Sequence, residues 1–130
     1  MTAFLDTNVV IRHLTGDPAE MAARASAYLA TQTELLLTDL ILAEVVYVLE
    51  SFYRTPRPQV AEAARSLVAF DAVLCRDSAL LIRAIDIYEV YRLDFAEAYL
   101  VASAESTGVR AVASFDQAID RVESVTRIEP

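Results

Sequence analysis

The stretch Ala3-Phe4-Leu5-Asp6-Thr7-Asn8-Val9-Val10-Ile11 joins a short apolar run to a segment of helical period through a single acid. Working outward, similar short apolar runs at residues 35–37, 72–74 and 111–113 alternate with longer helical segments, and a last strand is expected near 125–128. Helices are expected at about 8–14, 18–30, 40–53, 58–70, 78–91 and 95–107. This alternation predicts a parallel sheet covered by helices, the α/β class. The second helix opens on a start signal: Asp17 as cap, Pro18 in the first turn and Glu20 closing a D-x-x-E box. Two glycines and four prolines leave little loop material, and there is no repeat or linker. The 130 residues are read as one domain, 1–130.

Composition removes several functions. All eleven basic residues are arginine, so a P-loop and a phosphoaspartate mechanism both lack their lysine. One cysteine, Cys75, and one histidine, His13, cannot form an internal disulfide or a Cys/His zinc site. With no G-x-S-x-G, a serine nucleophile is also excluded, and His13 is read as a surface helix residue. No basic region precedes an apolar stretch at the N-terminus, and no uncharged run approaches the roughly 18 residues of a membrane span. A soluble cytoplasmic protein is expected. Its apolar share slightly exceeds the globular norm, which hints at surface kept for a partner. The net charge of −8 opposes a polyanionic partner unless local cations supply the contacts.

The acids carry the chemistry. Asp6 and Asp116 each follow an expected strand, and ligands of parallel α/β sheets bind at the strand C-terminal ends. The alternative for both is helix capping; Ser114-Phe115-Asp116-Gln117 reads as an S-x-x-Q box. Glu44 is the lone charge in Leu40-Ile41-Leu42-Ala43-Glu44-Val45-Val46-Tyr47-Val48-Leu49. Buried among such neighbours it needs a cation, either Arg12 or Arg92, or a metal, and the metal is the favoured reading. Asp94 and Glu97 open a helix, where a D-x-x-E box is again the alternative. Several carboxylates without lysine, histidine or cysteine suit Mg²⁺ or Mn²⁺, ions that perform phosphodiester hydrolysis by activating water.

With these residues in order, the chain resembles the PIN-domain family, and within it the small VapC-type ribonuclease toxins of toxin-antitoxin pairs. The resemblance rests on Phe4-Leu5-Asp6-Thr7-Asn8-Val9, Leu42-Ala43-Glu44-Val45, Asp94-Phe95-Ala96-Glu97-Ala98 and Val112-Ala113-Ser114-Phe115-Asp116. It implies a three-layer α/β/α fold with a short parallel central sheet, and a Mg²⁺- or Mn²⁺-dependent endoribonuclease. Asp6, Glu44, Asp94 and Asp116 become the acidic quartet, Thr7 and Asn8 support Asp6, and Ser114 helps hold Asp116. Glu97 departs from the pattern, since many relatives carry Asp there, and its longer side chain is assigned to a second ion. Two bound divalent ions would bring the charge from −8 to −4, and Arg12, Arg54 and Arg57 could then form an RNA-facing patch, a solvated role being the alternative for each. The resemblance also implies a homodimer and a VapB-like antitoxin seated in an apolar groove. The competing functions are a PIN nuclease of RNA maturation or single-stranded DNA, and a non-catalytic PIN binding module. A phosphoaspartate hydrolase built on Asp6-Thr7-Asn8 ranks last for want of a lysine.

Overall fold

The computed structural model describes residues 1–130, which divide into two compact units, Met1–Arg76 and Asp77–Pro130. In the first unit, three short strands, β1 (Ala3–Phe4), β2 (Leu35–Leu37) and β3 (Val73–Cys75), pair in parallel in the order β1-β2-β3. The register aligns Ala3, Leu35 and Val73, and next to them Phe4, Leu36 and Leu74. Because side chains alternate across a strand, Leu35, Leu37 and Val73 point inward and are buried. Phe4 and Leu74 emerge on the other face, 71% and 45% exposed.

Four helices complete this unit: α1 (Thr7–Thr15), α2 (Ala19–Thr31), α3 (Asp39–Ser51) and α4 (Arg57–Ala69). Helix α1 packs on α2 and α3, and α3 on α4. The core is aliphatic, with Val10, Leu42, Val45, Val46 and Val60 wholly or almost wholly removed from water. Each such side chain contributes about 1.5–3 kcal/mol. Gly16 ends α1 in the left-handed conformation, φ 70, and its N–H donates to the Arg12 carbonyl. Thr38 caps α3 by accepting from the Ile41 N–H.

The start of α2 differs from expectation. Pro18 stands outside the helix as its cap residue, its carbonyl accepting from Ala22, and Asp17 falls one place too early to cap. The Asp17 carboxylate accepts instead from the Tyr53 hydroxyl at 3.4 Å. A proline at N-cap offers no side-chain acceptor, so α2 begins without a capping bond.

The second unit holds α5 (Ser78–Val90), α6 (Phe95–Thr107), a parallel pair β4 (Ala111–Ala113) and β5 (Thr126–Ile128), and a 3₁₀ turn at Gln117–Arg121. Helices α5 and α6 pack closely through Leu81, Ala84, Ile85, Tyr88, Ala98 and Val101, with Tyr88 and Phe95 in edge contact. A bidentate pair, Arg83 to Glu105 at 2.8 and 2.9 Å, ties the two helices and lowers the Glu105 carboxyl below its ordinary range. Three arginines take left-handed backbone: Arg54 (φ 53), Arg92 (φ 58) and Arg110 (φ 58). The α/β class stands, with six helices and short parallel strands, in two ladders rather than one continuous sheet. No helix is long and apolar enough to cross a membrane.

Candidate active site

In the first unit, Asp6 leaves β1 and caps α1, its Oδ1 accepting the Thr7 N–H at 2.7 Å. Capping uses one oxygen, and the exposed carboxylate keeps the other. Thr7 is buried, and its Oγ1 has no hydrogen-bond partner; Asn8 is exposed in the same helical turn. Glu44 is a correction: it is exposed, not buried. Helix α3 is apolar nearly all round, and the buried face belongs to Leu42, Val45, Val46 and Leu49. The stripe carrying Glu44 is therefore the outer one, with Leu40 76% and Tyr47 68% exposed one turn to either side. Arg12 does not neutralise it; its own Nε is buried without a partner. Arg54 is exposed beyond the end of α3, and Arg57 is the half-buried first residue of α4.

The second unit brings three acids to one place. Asp94 precedes α6 but its side chain makes no capping bond, so the expected D-x-x-E box does not form from it. Glu97 sits in the first turn of α6. Asp116 caps the 3₁₀ turn by accepting from the Ala118 N–H at 2.9 Å, and Ser114 Oγ accepts the Asp116 N–H at 2.9 Å. The S-x-x-Q box is thus displaced: Asp116, not Ser114, is the cap.

The carboxyls of Glu97 and Asp116 are hydrogen-bonded to each other. Burial pushes Glu97 up to about 7, helped by that bond and by the charges of Asp116 and Asp94, against a weaker pull from Arg121. Asp116 moves down, held by the Ala118 N–H and then by Glu97. One proton therefore sits between the pair, on Glu97. The folded Glu97 binds its proton more tightly than the unfolded one. The stability this gives is full below about 4.5, its ordinary value, and is lost as pH rises through about 7. In metal-free buffer we expect Glu97→Gln to gain in melting temperature over the wild type between pH 5 and 8. A difference independent of pH would show that Glu97 is not strained by its neighbours.

Two basic residues beside these acids were not singled out from the sequence. Arg121 donates to the carbonyls of Tyr91 and Arg92. Arg127, on β5, donates to Ser114 O and pairs with Asp120 and Glu129. Their signal is weak: Arg127 sits in a short strand opposite Val112, and Arg121 ends a turn that no apolar period announces.

The donor set fits a hard divalent ion. In each unit one buried oxygen has no partner, Thr7 Oγ1 beside Asp6 in the first and Glu97 Oε2 in the second. Each such orphan costs about 1–3 kcal/mol, which an ion or its water would offset. The acids are not drawn into a preformed shell. Like-charged carboxylates repel, and a proton held on Glu97 relieves that repulsion against Asp116 and Asp94. Compared with families of known proteins, the chain matches the model described as PIN domain over residues 3–125, which includes all five acids. Among curated proteins nothing matches significantly.

Proposed function

Since the chain belongs to the PIN-domain family, a nuclease-type fold, we propose that it is a Mg²⁺- or Mn²⁺-dependent endoribonuclease, the toxin of a VapBC-type pair. A single domain is proposed to run through both compact units, because the family match does so without a break. The acid set is Asp6, Glu44, Asp94 and Asp116, with Glu97 as an auxiliary ligand. The observation that carries the reading is the trio Asp94, Glu97 and Asp116, in which burial, helped by the two acidic neighbours, holds the Glu97 carboxyl protonated up to about 7. A purely structural site gains nothing from such repulsion.

When bound, the divalent ion activates water and offsets charge on the scissile phosphate and leaving oxygen. The chain's own part is to hold donors in place: the Thr7 N–H fixes Asp6, and Ser114 with Ala118 fixes Asp116. Glu97 would have to give up its proton to serve as a ligand, so metal affinity should rise with pH through about 7. The exposed apolar side chains Leu40 and Tyr47 of α3, and Phe52 just past its end, support a homodimer or a VapB-like antitoxin as partner. A solvated ridge of this kind costs solubility unless something covers it. The reading is tested by millimolar Mg²⁺ or Mn²⁺, which should raise the melting temperature by preferential binding to the folded state and support cleavage of RNA. Neither a shift nor cleavage would remove the nuclease and leave a binding module.

A further inference from the structure

Helices α1 and α2 of the first unit enclose a cleft of about 490 Å³. Its walls carry Asn8 and Arg12, one turn apart on α1, and Met21, Arg24 and Tyr28, on one face of α2. Two guanidinium groups line it and no acid does, whereas the cleft on the Phe4–Leu36–Leu74 face of the three-stranded sheet mixes Arg76 with Asp39. The Nε of Arg12 is a buried donor with no acceptor. At the rim, Met21 and Tyr28 are 46% and 39% exposed and offer a thioether and an aromatic ring.

This combination matches the parts of a nucleotide. Guanidinium forks take phosphate oxygens bidentately, an aromatic ring takes a stacked base, and an amide such as that of Asn8 reads a base edge. In a chain of net charge −8, affinity for a polyanion must come from a local cationic site, and this cleft is one. The ring of Tyr28 and the amide of Asn8 beside the two guanidiniums favour a polynucleotide over an acidic peptide, because they offer a stacking face and a base-edge partner. Asn8 also lies in the first turn of the helix that Asp6 caps.

We propose that the cleft between α1 and α2 is a subsite for one nucleotide of a single-stranded polynucleotide, with phosphate on Arg12 and Arg24 and the base against Tyr28. The inference rests on the nuclease reading in taking that strand to be the substrate. The full chain carrying Asp6→Asn is titrated in EDTA against labelled single-stranded RNA, the same sequence as DNA, and a polyglutamate peptide. Arg12→Gln/Arg24→Gln should weaken RNA binding about tenfold or more and flatten its salt dependence by about one unit, since each phosphate contact contributes about 0.7. Tyr28→Ala should weaken it several-fold. Arg24→Gln alone, at an exposed position, should show a smaller loss of the same kind even if the double variant folds poorly. Gln59→Glu/Ser66→Glu makes the same change in net charge at exposed places on α4 and should leave binding within about twofold.

Equal losses on RNA and DNA assign the shared phosphate and base contacts; a loss on one alone names that strand as the ligand. The proposal is overturned if Arg24→Gln and Tyr28→Ala bind as the parent does, if the α4 control loses as much as the double variant, or if polyglutamate is held more tightly through the same arginines. Cleavage separates this from the nuclease reading. If the wild type cleaves RNA and Arg24→Gln leaves KM unchanged, the subsite falls and the nuclease stands. If it binds through the arginines but never cleaves, the reverse holds.

Discussion

Asp6→Asn, Glu44→Gln, Asp94→Asn and Asp116→Asn are each expected to lower metal-dependent RNA cleavage by about a thousandfold or more, with no loss of melting temperature in EDTA. Asparagine is chosen because it still accepts a capping hydrogen bond. Thr7 and Ala118 therefore keep their partners, and only the charge is removed. Glu44 is exposed and Asp94 caps nothing, so neither change opens a cavity or orphans a buried donor. In the second unit, loss of the negative charge at Asp94 relieves Glu97, and the melting temperature should rise slightly, whereas Asp116→Asn gives no such rise because Ala118 and the nearby arginines favour the charged carboxylate. If the toxin reading holds, induced wild-type protein arrests growth and Asp6→Asn does not. Variants that cleave normally, or that unfold, would make these acids structural caps or ion-pair partners.

The second large effect is on stability. Leu42→Ala in α3 and Ile85→Ala in α5 each remove a side chain with no exposed surface, and each should cost about 2–5 kcal/mol. That lowers the melting temperature by about 10 °C or more for a chain this size. With one domain running through residues 1–130, calorimetry shows a single transition that both substitutions move. Two transitions, each moved only by the substitution in its own unit, would divide the chain at Arg76.

Much of this was readable from residues alone. Strands at 35–37 and 111–113 and helix 95–107 emerged where short apolar runs and helical period marked them. The environment of Glu44 was misread for a physical reason: α3 is apolar on every side, and no pattern within it says which face meets water. The caps failed where the helix began later than expected. Pro18 stands at the N-cap in place of Asp17, and Asp116 in place of Ser114, since a shift of one or two residues in helix start decides the cap and composition does not fix it. The acids were found because carboxylates at strand ends and helix starts stand out, while their electrostatics were invisible. The shared proton of Glu97 and Asp116 depends on residues 19 positions apart meeting across a helix start and a turn.

The three left-handed arginines have a bearing on how far the protein can be improved. An L-residue in that conformation gives up about 1–2 kcal/mol, of which glycine would recover part after its own entropic penalty of about 0.5–1 kcal/mol. Arg110 is held there by its bond to Ser124 O, and Arg54 stands beyond the end of α3. Arg92 contributes a backbone carbonyl to Arg121, which any residue supplies. The fold thus carries a small reserve of untapped stability outside its core, and position 92, whose carbonyl role any residue fills, is where an engineer could draw on it.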